Sequence, residues 1–158
     1  DARSCAGVLR LMFEDVRDLY QEVILDHGRH PRHAQRLAQF DATARGDNPM
    51  CGDRIELWLR RDENGAVADL GFEARGCAIS IASADLMAEV ARGRHPASLR
   101  KLAASFATMA ETGECPECAA MQRLKPLSAV HEFPSRVKCA TLPWQALLAA
   151  LAKEAPHG

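Results

Sequence analysis

The chain has 158 residues, with 20 Lys and Arg against 21 Asp and Glu. That length forms one domain able to bury roughly 68–70% of the surface its unfolded form exposes. The near-neutral balance provides no basic face of the kind that binds nucleic acid or an anionic membrane, so a small molecule or another protein is the expected partner. No apolar run approaches the roughly 18 residues of a membrane span, and the start lacks the basic, apolar and small-residue order of a secretory signal, which points to the cytoplasm. In a reducing compartment the six cysteines are expected to bind metal or react rather than to form structural disulfides.

Residues 1–11 are read as a tail and 12–158 as one domain, because Met12 directly precedes a strong helical pattern; Cys5 is then incidental. Phe13, Val16, Tyr20, Val23 and Ile24 recur at helical spacing, with Glu14 and Asp15 in the first turn, where the helix dipole favours anions. Gly28 ends this helix and Pro31 prevents its resumption. His27, His30 and His33 follow at intervals of three. They read as a solvated loop of Arg and His around Pro31 rather than a metal site.

A weak pattern allows a first strand over Arg36–Arg45. Stronger is the alternation of Ile55, Leu57 and Leu59 with Glu56, Trp58 and Arg60, followed by the turn Asp62-Glu63-Asn64-Gly65 and the returning Leu70, Phe72 and Ala74. This is an antiparallel hairpin with one buried face. If Asn64-Gly65 is its two-residue loop, paired residue numbers add to 129, which sets Gly52 opposite Cys77 with Cys51 and Asp53 on either side. Neighbouring strands lie about 4.8 Å apart and same-face neighbours about 6.8 Å, close enough for three side chains to reach one ion.

After Cys77 the pattern turns helical. Ile79, Ala82, Leu86 and Val90 share a stripe that Gly93 stops, so Cys77 sits at a strand-to-helix junction. A second helix is expected from about Ala97 to Glu111, with Leu99, Leu102, Phe106 and Met109 inward and Ser98 as a cap. A loop with Gly113 and Pro116, a short helix over Ala119–Lys125 and a last helical region over Ser135–Lys153, broken at Pro143, complete the chain. Cys139 falls near the start of that last region. No internal repeat or linker divides the sequence.

Cys51, Asp53, Cys77 and Cys139 would form a three-sulfur, one-oxygen set of the type that holds zinc tetrahedrally. Spacing alone leaves a second reading open, in which Cys77 and Cys139 are small buried apolar residues and Gly52-Asp53 a simple turn.

Three motifs carry a resemblance that bears on this choice. They are Asn48-Pro49-x-Cys51-Gly52-Asp53, then Gly76-Cys77-Ala78-Ile79-Ser80 with Ala82-Ser83, then Phe133-Pro134-x-Arg136-x-Lys138-Cys139-Ala140-Thr141-Leu142-x-Trp144. With Leu19-Tyr20-x-x-Val23-Ile24-x-Asp26-His27 and Pro31-Arg32 upstream, the chain resembles the SufU branch of the IscU-like proteins from roughly Val16 to Leu151. Lys138 before the third cysteine, and an extra segment of about Arg100–Leu124, match that branch rather than the IscU scaffolds. The resemblance implies an α+β domain, a short antiparallel sheet of about three strands packed against several helices, with zinc held by Cys51, Asp53, Cys77 and Cys139. It also implies sulfur transfer. In that family a pyridoxal-phosphate cysteine desulfurase of the SufS type passes sulfane sulfur to the thiol matching Cys51, for delivery to a SufBCD-type scaffold. The desulfurase supplies a histidine that replaces this thiol on zinc. Arg136, one turn before Cys139, is expected to orient that residue or the incoming persulfide. Iron or a [2Fe–2S] cluster, with the protein as its assembly scaffold, is the alternative.

Cys115-Pro116-Glu117-Cys118 departs from the family pattern. Half of a second zinc site, with His131 the nearest further ligand, a redox pair and a chance surface pair are all open for it.

Overall fold

The alternation over residues 55–60 and its return build the centre of the fold. In the computed structural model, which describes residues 19–50, 52–115 and 118–153, β1 (Ala42–Asn48), β2 (Asp53–Arg61) and β3 (Val67–Arg75) form an antiparallel sheet in that order. Helix α1, described over residues 19–29, precedes it. Helices α2 (Ala78–Ala91), α3 (Pro96–Thr112), α4 (Ala119–Leu124), a 3-10 helix (Lys125–Glu132) and α5 (Pro134–Leu151) follow. The class is α+β, as expected. The tail at 1–11 and the first turns of the expected helix over 13–27 lie outside the described residues. Among the described residues, no helix is long and apolar enough to cross a membrane.

Residue numbers add to 129 from Arg54↔Arg75 to Arg60↔Asp69, the register predicted from sequence, although the turn differs. The ladder ends at Arg61↔Val67 with a bulge beside it. The Asp62 carboxylate accepts the Asn64 and Ala66 amides at 2.8 and 3.0 Å. A longer loop closed by an aspartate and one extra residue in β3 thus give the register of a two-residue turn.

Ile55, Leu57, Leu59, Leu70 and Phe72 are buried on the inner face, each contributing about 1.5–3 kcal/mol by leaving water. Helix α5 packs on β1 and β2, α2 packs on β3, and both helices touch each other. The Trp144 ring on α5 stacks on Phe106 of α3 at 4.7 Å.

Several expectations are corrected. The strand proposed at Arg36–Arg45 begins instead at Ala42, because the preceding segment covers the sheet's outer face and the β3 edge. The His33 carbonyl accepts the Phe72 amide at 3.2 Å, and a Cβ on Gly71 would lie 2.1 Å from the Gln35 carbonyl oxygen. Trp58, placed by alternation on the polar face, is therefore 2% exposed, with the Arg36 guanidinium 5.5 Å from its ring centroid. The α3 cap is His95, with Pro96 at the first helical position, so Ser98 lies inside the helix. Helix α5 runs through Pro143 without a break. Proline withholds one N–H, but the Ser83 hydroxyl of α2 donates to the Ala140 carbonyl at 2.5 Å and fastens the two helices at this level.

The histidine loop is also not simply solvated. His27 Nδ1 lies 2.5 Å from Asp85 Oδ2, and the other Asp85 oxygen accepts the Arg32 and His33 amides at 2.8 and 2.9 Å. Asp85, wholly buried on α2, is the acid that sequence order hid, 58 residues from His27. It ties the end of α1 and the following loop to the central helix. Replacing Asp85 by Ala strands three donors, and we expect a loss of about 3–5 kcal/mol in urea unfolding. A change below about 1 kcal/mol would assign the network no structural weight.

Candidate metal centre

The sheet's register delivers the site. Asn48 pairs with Asp53, so residues 49–52 connect β1 to β2. The Gly52 amide donates to the Asn48 carbonyl at 2.8 Å and the Met50 amide to the Asn48 side-chain oxygen at 3.2 Å. Asn48 therefore holds this turn with both its main chain and its side chain, a use of asparagine that its place at the start of a turn could have signalled. Cys51, the candidate acceptor and ligand, falls in this connection and lies outside the described residues.

At the other edge of the hairpin β3 ends at Arg75, and Cys77 forms the N-cap of α2. The Asp53 carboxylate reaches across between them and accepts the Cys77 amide at 3.1 Å, with the Cys77 sulfur 3.9 Å from its other oxygen. Gly76 makes this crossing possible, since a Cβ there would lie 2.1 Å from Asp53 Oδ1. Cys139, in the early turns of α5 and 1% exposed, comes from the opposite side.

The ligand atoms of Asp53, Cys77 and Cys139 lie within 4.8 Å of one another. Donors on a tetrahedral zinc, at about 2.3 Å for sulfur and about 2.0–2.2 Å for carboxylate oxygen, stand roughly 3.5–3.8 Å apart. A small contraction would bring the three onto such an ion, and two thiols with one carboxylate suit zinc chemically. The structure thus brings together three of the four expected ligands. It provides no such cluster at Cys115, Cys118 and His131 among the described residues.

Electrostatics agree with a cation site. Burial, then the hydrogen-bonded Asp53 and Cys77, push the Cys139 thiol well above its ordinary pKa. Arg136 faces these sulfurs, and its guanidinium is held above its ordinary pKa chiefly by hydrogen bonding to Cys139 and by the Cys77 charge. A cation in the first turn of α5 opposes the helix dipole, so the facing sulfurs are what favour it there. Beside Cys77 and Arg136 opens a groove of about 690 Å³ whose apolar wall includes Tyr20, Ile24, Ile79 and Phe133.

The family model for the NifU-like N-terminal domain matches residues 19–153. The chain belongs to the NifU-like N-terminal domain family. Among relatives of this NifU-like chain, the zinc-dependent sulfurtransferase SufU of Bacillus subtilis is 37% identical over 136 residues, 86% of this chain and 91% of that protein. The iron–sulfur cluster assembly scaffold protein IscU of Streptococcus pyogenes is 35% identical over 137 residues, 87% of this chain and 85% of the other. In structure, the SUF-system protein designated FiSufU, from Fervidobacterium islandicum AW-1, is similar with a TM-score of 0.76 at 29% identity, covering 82% of this chain and 94% of that one.

The raised Cys139 thiol makes the metal-free NifU-like domain sensitive to alkali. Above its ordinary pKa of 9.0 the unfolded chain has released this proton while the folded chain retains it, so folding stability falls as pH rises through that value. We expect the Tm of chelator-treated protein to decline across this range and Cys139→Ser to remove part of the decline. An identical slope in that variant would contradict the assignment.

Proposed function

We propose that the protein is a zinc-dependent sulfur-transfer protein. It accepts persulfide sulfur from a pyridoxal-phosphate cysteine desulfurase of the SufS type and delivers it to a SufBCD-type scaffold for iron–sulfur cluster assembly, in the cytoplasm. The observation that carries this reading is the convergence of Asp53, Cys77 and Cys139 beside the short connection that contains Cys51.

Asp53, Cys77, Cys139 and Cys51 would hold the zinc, which keeps bound thiols ionised at neutral pH while blunting their nucleophilicity. The chain's own residues divide the remaining work. Asp53 is set by strand pairing and by the Cys77 amide, and Cys77 and Cys139 belong to helix starts. Cys51 belongs by sequence to the connection 49–52 rather than to a helix, which suits the thiol that meets an incoming persulfide. Its sulfur attacks the outer sulfur of the desulfurase persulfide. The new S–S bond forms as the old one breaks, and the desulfurase thiolate leaves. Arg136, exposed and facing both sulfurs, would offer a positive charge to the anionic persulfide. The groove beside Cys77 gives a desulfurase segment an apolar approach.

A second reading follows from the relative in Streptococcus pyogenes that is named a cluster assembly scaffold. On that reading the same thiols would hold a [2Fe–2S] cluster during assembly. Stoichiometric aerobic reconstitution of a stable cluster, passed on to a recipient protein, would favour it.

The direct test is desulfurase stimulation. Cys51→Ala is expected to abolish stimulation of a SufS-type cysteine desulfurase while the circular dichroism spectrum stays that of wild type. Stimulation at the wild-type level would remove Cys51 from the acceptor role.

A further inference from the structure

Cys115 and Cys118 stand outside the centre, on the segment between α3 and α4. Cys118 is the N-cap of α4, and its sulfur accepts the Met121 amide at 3.4 Å. The Cys115 thiol donates to the Met121 carbonyl at 3.7 Å. Both sulfurs are thus fastened to one residue, whose own side chain is fully buried. Neither is in a disulfide, and the two differ in access. Cys118 is exposed, whereas Cys115 is half-buried and packed against the core. Burial raises the Cys115 thiol above its ordinary pKa, so it stays protonated at neutral pH.

Metal binding is the other common use of this spacing, and the geometry argues against it. Among the described residues, only Asp53, Cys77 and Cys139 form a group of donors close enough to share an ion. His131, whose Nδ1 lies 2.7 Å from the Ser128 carbonyl, does not join Cys115 and Cys118 in such a group. A dithiol whose members are separated by two residues needs no further ligand to close a disulfide.

We propose that Cys115 and Cys118 form a second thiol site, separate from the metal centre, that takes hydroperoxide-class oxidants and closes to an intramolecular disulfide. The exposed Cys118 meets the oxidant. Its thiolate attacks one peroxide oxygen, the O–O bond breaks, hydroxide leaves, and the sulfur becomes a sulfenic acid. Cys115 then attacks that sulfur. The S–S bond forms, the S–O bond breaks, and the Cys115 proton leaves with the hydroxyl as water. Two thiols are oxidised and one hydrogen peroxide is reduced to two waters. Cys139 is 1% exposed, so a small oxidant reaches Cys118 before it reaches that sulfur. The site stands whether or not the metal centre transfers sulfur.

The full-length protein as purified, pre-reduced and freed of reductant, is treated with stoichiometric hydrogen peroxide near neutral pH, alkylated and digested with trypsin. The peptide over residues 102–123 contains Cys115 and Cys118 and no other cysteine. It should lose both alkylation sites and appear about 2 Da lighter than its reduced form. Serine is a good helix cap, so Cys118→Ser is expected to fold and to lose the bridge. Cys115→Ser is expected to hold Cys118 as a sulfenic acid that a dimedone probe traps. Oxidation confined to peptides carrying Cys51, Cys77 or Cys139, or sulfinic acid at Cys118 with Cys115 still alkylated, would overturn the proposal.

Discussion

The Asp53 carboxylate lying across Gly76 to the Cys77 amide is the interaction on which the site depends. It joins the connection between β1 and β2 to the junction between β3 and α2, at the end of the sheet where two segments distant in sequence must meet. A buried carboxylate is costly unless its oxygens are satisfied, and Asp53 is 2% exposed. The Cys77 amide meets part of that need, and a cation shared with the two thiols would meet more. The same carboxylate serves backbone order and ligand order together.

The helices supply the third wall. Ser83 on α2 donates to the Ala140 carbonyl on α5, the residue after Cys139. The hydroxyl therefore sets how far the Cys139 turn stands from the helix that begins at Cys77. Farther along α2, Asp85 binds His27 and the Arg32 and His33 amides, fixing α1, one wall of the groove that opens beside Cys77. Two buried polar side chains of α2, Ser83 and Asp85, thus arrange what surrounds the sulfurs. Substitutions at either position should act on the centre through helix placement rather than through contact with a ligand.

What sequence made legible was local, or followed from a register. The alternation over residues 55–60, the returning strand and the residue pairing follow from period-two burial, and that pairing alone is enough to bring Asp53 to Cys77. The stops of α2 before Gly93 and of α4 before Pro126 followed from glycine and proline. What sequence missed was set by contacts between distant segments. Trp58 reads as solvent-facing until Leu37 and the Gln35 carbonyl close over Gly71 beside it. Asp85 carries no local signal of its burial, because its partner His27 lies 58 residues away. The break expected at Pro143 did not occur, because α5 is held by its packing on the sheet and by the neighbouring helices. At the site itself, the motifs named Asp53, Cys77 and Cys139, which the fold brings together. Geometry added that Gly76 is there for space and that Asn48 holds the turn.

The central claim is a mononuclear site with sulfur and oxygen donors, built on Asp53, Cys77 and Cys139 and completed by Cys51. Zinc-edge X-ray absorption on the protein as purified tests it most directly. The account predicts one zinc per chain, with three sulfurs at about 2.3 Å and one oxygen at about 2.0–2.2 Å. A spectrum with no sulfur ligands, or an iron–sulfur cluster in place of zinc, would contradict it.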